Sequence, residues 1–149
     1  MAFDLATLQP FLGVWRGAGD IAPNSWGGAG PCRGAWRFHL DPAGRNLIHD
    51  YEETRADGTA FNGHGVWCAE GEDLLHFWFD SYGFPPVQPA RGGWDGHRLV
   101  VTKTTPRGQG RSTWACDGKD LSYCVEAWPI GQDGFSRVMS GRYQRVVGF

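Results

Sequence analysis

The sequence predicts an all-β protein: a single up-and-down antiparallel barrel of about ten strands with a short N-terminal helical turn. Three observations predict it. Of 149 residues 14% are aromatic, including eight Trp, while 23 Gly and nine Pro imply many turns and few long helices. Strand-like runs alternate with turns in which Asp-Gly recurs, the pair that supplies positive φ to tight hairpins. No helical period is long enough for a βαβ unit, so the strands read as a meander that loses its edges by closing. A chain of 149 residues buries one core rather than two, so residues 1–149 read as one domain.

Phe3 to Leu12 carries Leu5, Leu8 and Leu12 at rough helical spacing, with Asp4 placed to cap and Pro10 to stop a short helix. In a barrel such a segment closes one end, its leucines against Trp15. The first strand runs from about Gly13 to Asp20. Gly13, Trp15, Gly17 and Gly19 share its parity, which leaves room beside one indole for a neighbouring backbone or a ligand. From Ile21 to Gly34 the chain is too rich in Gly and Pro for helix or strand and reads as a loop, with Trp26 as its one large apolar group. Strand-like runs follow over Ala35 to Leu40, Arg45 to Thr54, Thr59 to Ala69, Asp73 to Ser81, Arg91 to Trp94, Arg98 to Thr105, Arg111 to Cys116, Leu121 to Trp128 and Phe135 to Val147. Between the fourth and fifth of these runs, Tyr82 to Ala90 is a proline-rich, extended connection expected over the barrel rim.

Composition removes several function classes. A net charge of −2 and a pI near 6.2 offer no general attraction to nucleic acid or anionic lipid. No apolar run is long enough to cross a bilayer, and Met1 to Leu5 shows no export signal, which predicts a cytoplasmic protein. Cys32, Cys68, Cys116 and Cys124 form no C-x-x-C and read as free thiols. Phosphate-loop, nucleophile-elbow and His-Glu-x-x-His patterns are absent, so no residue is assigned a catalytic role.

The helical turn, Gly13-x-Trp15 on the first strand and Arg142 or Arg145 in the last resemble the calycin superfamily of lipocalins, fatty-acid-binding proteins and haem-binding nitrobindins. The resemblance implies that Trp15 closes one barrel end with one of those arginines across it. Gly63-His64-Gly65, Trp78-Phe79-Asp80-Ser81, Trp94-Asp95-Gly96 and Gly141-Arg142-Tyr143 are similar to an uncharacterised bacterial lipocalin-like family, over nearly the whole chain. That likeness implies a ligand-binding barrel and names no ligand. Nitrobindins hold haem through a histidine in the last strands, where this chain has none after His97. No cofactor is therefore expected, and haem is an alternative that requires His49, His64, His76 or Met139 as its ligand.

Three successive strands each carry a central histidine: Leu47 to Glu53, Asn62 to Trp67, and Leu74 to Asp80. A two-residue hairpin at Asp57-Gly58 puts Tyr51 opposite His64, on one face with His49 and Glu53. A three-residue turn at Gly71 then adds His76, Trp78 and Asp80 to that face, whereas a two-residue turn sends them to the other. The first choice makes a polar and aromatic wall of His49, Tyr51, Glu53, His64, His76, Trp78 and Asp80, able to bind a metal or perform acid-base chemistry. The second reading makes Leu75, Phe77 and Phe79 the interior, with His76 and Asp80 in solvent.

The function expected is binding of a small apolar or amphipathic molecule inside the barrel, its polar end held by some of that wall. Rim loops with Trp26 and Phe84-Pro85-Pro86 would gate access. The alternatives are a barrel enzyme with a His and Asp80 as acid and base, haem binding, and a homodimeric module joined through Leu75, Phe77 and Phe79 if these point outward.

Overall fold

Ten strands close into one antiparallel barrel in which each strand pairs with its sequence neighbours and β10 returns to β1. The computed structural model describes residues 1–25 and 27–147; the expected gate residue Trp26 lies outside the described residues. The strands are β1 (Gly13–Ile21), β2 (Gly30–Leu40), β3 (Leu47–Arg55), β4 (Ala60–Glu70), β5 (Asp73–Asp80), β6 (Ala90–Asp95), β7 (Arg98–Thr105), β8 (Gly108–Cys116), β9 (Asp120–Pro129) and β10 (Ser136–Arg145). Each expected strand is present. β2 begins earlier than expected because Gly30 to Gly34 pair residue by residue with Ile21 to Gly17 of β1, and ladder pairing overrides the weak strand preference of Gly and Pro.

The N-terminal segment forms a 3-10 helix, Leu5–Phe11, whose cap Asp4 accepts a hydrogen bond from the Ala6 amide at 3.0 Å. Pro10 lies inside the helix instead of ending it, because the fixed proline φ suits a short tight turn. Leu8 and Phe11 are fully buried and plug the near end of the barrel. Trp15 is anchored beneath them, its Nε1 donating to the Phe11 carbonyl at 2.9 Å.

Arg145 is the arginine that closes this end. Its guanidinium lies 4.2 Å from the centre of the Trp15 ring and donates to the carbonyls of Leu12 and Pro10, at 2.5 and 2.7 Å. Arg142, the other candidate, stands exposed on the outer face one register step from Tyr143. The space beside the indole is taken by protein. A Cβ at Gly13 would lie 2.8 Å from Arg145 Nη1, and one at Gly17 would lie 1.9 Å from the Arg142 carbonyl oxygen. Above the plug, Trp36, Trp67 and Trp114 are fully buried and meet edge to face, Trp67 and Trp114 at 5.0 Å and 87°.

Candidate functional site

Two turns decide which side chains enter the barrel. The β3–β4 turn closes with Arg55 donating its amide to the Thr59 carbonyl at 2.9 Å, so three residues, Ala56, Asp57 and Gly58, form the loop where two were expected. The β4–β5 turn pairs Glu70 with Asp73, which leaves the two residues Gly71 and Glu72 where three were required. Gly58 and Gly71 sit at φ 85° and 60°, the left-handed region glycine enters without strain. Each turn differs from the expectation by one residue, in opposite senses. Together they move β5 two residues along β3, which preserves the shared face of those two strands, so that β4 alone is inverted.

His49, Tyr51 and Glu53 therefore share the inner face with His76, Trp78 and Asp80, while His64 is excluded. It pairs with Asp50 in register and reaches that carboxylate at 2.6 Å on the outer surface, both side chains half exposed. Gly63 and Gly65 point inward in its place. Their missing side chains admit large rings: a Cβ at Gly63 would lie 2.0 Å from the Trp78 ring, and one at Gly65 would lie 2.1 Å from His49 Nε2. Leu75, Phe77 and Phe79 take the opposite, outer face of β5, where Leu75 is only 6% exposed and Phe79 is 49% exposed, and none of them belongs to the core cluster, so the reading that made them the interior is overturned.

The inward histidines form a pair. His49 Nε2 and His76 Nε2 are 3.1 Å apart, with rings stacked at 20°. Burial drives the His49 pKa well below its ordinary value, helped by the neighbouring His76. Burial together with the charge of Lys103 lowers His76 to about 3. Two neutral imidazoles share one hydrogen bond by one donating and the other accepting, which leaves them poor proton carriers near neutral pH. Among the described residues, His49 Nδ1 and the Nε1 atoms of Trp36, Trp67 and Trp114 around it have no hydrogen-bond partner. Among the described residues no cluster of three His, Cys, Asp or Glu could hold a metal ion, which removes the tri-histidine arrangement.

Closer to the mouth, Glu53 accepts from the Tyr51 hydroxyl at 2.6 Å and from Arg55 Nε at 2.8 Å. This buried carboxylate is neutralised and hydrogen-bonded, as a charge in a low-dielectric interior must be. Burial, with Tyr143 and Glu53 nearby, pushes the Tyr51 phenol up, so it stays a donor. Asp80 accepts from Trp78 Nε1 at 2.9 Å and from the Tyr82 amide at 3.0 Å.

These groups line a cavity of about 610 Å³ that opens at the end away from the plug. Its wall is mixed: Phe61, Val101, Val125 and Met139 are apolar, and Tyr51, Glu53, His76 and Asp80 are polar. His49 lies below, fully buried. The described residues of the β1–β2 loop, among them Asn24 and Ser25, and Tyr82 of the β5–β6 connection stand at the mouth. Of the expected haem ligands, His64 is outside and His49 is sealed in, while His76 and Met139 reach the cavity. His76 already spends its Nε2 on His49, so that atom does not fit an axial ligand that is free to bind, and Met139 is left as the expected ligand that faces the cavity.

Sequence reasoning misses Lys103. It shares inward parity with Leu99 and Val101, both essentially buried, and the alternation Leu99-Val100-Val101-Thr102-Lys103 carries that signal. It lines the cavity.

No protein-family model and no curated protein matches the chain. Solved structures do resemble it. Rv2717c from M. tuberculosis is similar at a TM-score of 0.73 and 16% identity, over 96% of this chain and 97% of that one. The structure of EF1p2_mFAP2b bound to DFHBI is similar at 0.51 and 13% identity, over 93% and 95%. A de novo designed fluorescence-activating β-barrel is similar at 0.50 and 12% identity, over 96% and 100%. At such identities the likeness carries the fold alone: a ten-stranded antiparallel barrel, which in this chain has an aromatic-rich interior.

Proposed function

We propose that this protein binds a small, partly apolar molecule in the open half of its barrel, without catalysis. The observation that carries the reading is the cavity itself. One end of the barrel is plugged by Leu8, Phe11 and Trp15, and the other holds about 610 Å³ between an apolar wall and a few fixed polar groups. That volume lies within the range of about 300–1,000 Å³ that small-molecule sites occupy. Tyr51, His76, Trp78 and Asp80 stand where a ligand's polar atoms would meet them, and all four sit on strands, which hold a site more rigidly than loops do. A neutral His76 supports hydrogen bonding over acid-base work near pH 7. Membership in a lipocalin-like family and cytoplasmic residence belong to the same proposal.

The test uses N-phenyl-1-naphthylamine, an uncharged dye that brightens in apolar sites. Titrated into the intact chain it is expected to saturate at one site, and Gly110→Phe is expected to abolish that site. Gly110 faces the cavity and a Cβ there meets nothing within 4 Å, so the added ring occupies ligand space. Dye that fails to bind, or binds equally to Gly110→Phe, overturns the reading.

A further inference from the structure

The cavity wall carries two acidic side chains, Glu53 and Asp80, and four basic ones, Arg55, Lys103, Arg111 and Arg137, that differ in how they are engaged; Arg111 is held by Glu126 and Arg137 by Asp20. Glu53 is held by Tyr51 and Arg55, and Arg55 is held in turn by Glu53. Asp80 is held by Trp78 and the Tyr82 amide. Lys103 makes no ion pair and no side-chain hydrogen bond among the described residues, although it is half-buried on the cavity wall. The register explains why. Gly110 lies directly opposite Lys103 on β8. On the other side, Arg91 pairs with Thr102, which brings Ala90, itself opposite His76, alongside Lys103. Flanked by a glycine and an alanine, the ammonium has no neighbouring side chain to pair with and faces open cavity. Next to it Val101 is apolar, and the same row continues across the neighbouring strands through Ser112 to Val125 and Met139.

We propose that the ligand is an amphipathic anion whose acidic head group pairs with Lys103, beside His76, and whose apolar body lies along Val101, Val125 and Met139. This rests on the cavity being a ligand site. A cationic ligand would be repelled by Lys103 and would find Glu53 neutralised by Arg55 and both Asp80 oxygens, though still charged, already accepting from Trp78 and the Tyr82 amide, and a neutral one would leave the ammonium in a low-dielectric space without a partner. A charge-assisted bond to an ammonium is short and strong and fixes the orientation of the head group.

The experiment compares two dyes that share one aromatic body: 8-anilinonaphthalene-1-sulfonate, and N-phenyl-1-naphthylamine, which lacks the sulfonate. The quantity read is the ratio of their affinities for the intact chain. Lys103→Met is expected to lower the sulfonate-to-neutral ratio about tenfold. Gly110→Asp, which sets a carboxylate opposite Lys103 at a position with room for it, is expected to lower the ratio as well while retaining the lysine. A ratio unchanged in both variants overturns the anion proposal and leaves the cavity reading standing. Failure of the neutral dye to bind the unsubstituted chain overturns the cavity reading itself.

Discussion

Gly65 and Gly110 both face the barrel interior, yet a Cβ at Gly65 would lie 2.1 Å from His49 Nε2, whereas one at Gly110 would meet nothing within 4 Å. The first belongs to the plugged half, where Trp15, Trp36, Trp67, Trp114 and His49 are fully buried. The second belongs to the open half, where Gly110, Ala90 and Ala127 line a void. In the closed half a missing side chain is filled by a neighbour's ring. In the open half it is left empty, next to a lysine and two hydrogen-bonded carboxylates, and this is the space assigned to the proposed ligand. The same strand chemistry builds both halves; the difference lies in whether a large residue stands across from the small one.

Substitutions that add atoms should separate the halves most sharply. Gly65→Ala is expected to cost about 3 kcal/mol by forcing the His49 ring from its place, read as a lower urea midpoint. If it costs nothing, the lower half is looser than its contacts indicate. Arg145→Met is next, at about 2 kcal/mol, since it removes the cation over Trp15 and the hydrogen bonds to Leu12 and Pro10. Arg142→Met, exposed on the outer face, should stay within about 0.5 kcal/mol, and equal losses for the two would refute the plug.

The histidine pair predicts a pH dependence. The unfolded chain takes up a proton near the ordinary value of 6.5 that folded His76 refuses until about 3, and His49 is shifted the same way. The unfolded state binds more protons inside that window. Stability is therefore complete above pH 6.5 and falls below it, for His76 by about 1.4 kcal/mol per pH unit down to about pH 3 and for His49 in the same direction. Urea melts at pH values of about 7.5, 6 and 5 measure the slope, and His76→Asn should reduce it; a flat profile would mean that the pair is solvated. A small change in stability is also expected for Gly110→Phe, within about 1 kcal/mol, although it abolishes dye binding. Destabilisation like that of Gly65→Ala would erase the distinction between the halves.

The barrel is legible from the spacing of turns, because Asp-Gly pairs and glycines at positive φ are demanded locally by the backbone. Gly13 and Trp15 mark the plug for the same local reason. The choice between Arg142 and Arg145 is not legible, since it depends on how β10 pairs with β1. The wall expected from the sequence includes His64 and omits Lys103. His64 is misplaced there because a one-residue difference in turn length inverts a whole strand. Lys103 is overlooked although its parity with Leu99 and Val101 is visible, since a lysine is ordinarily assigned to solvent.

By itself, then, the sequence determined the all-β class, the order of the strands, their turns and the aromatic interior, all of which follow from residue preferences acting over a few neighbours. Only the tertiary structure decided that β4 turns Gly63 and Gly65 inward, that His49 meets His76, and that the ammonium of Lys103 faces space left by Ala90 and Gly110. Those outcomes depend on the register between strands and on closure of the barrel, which bring together side chains that no local pattern relates.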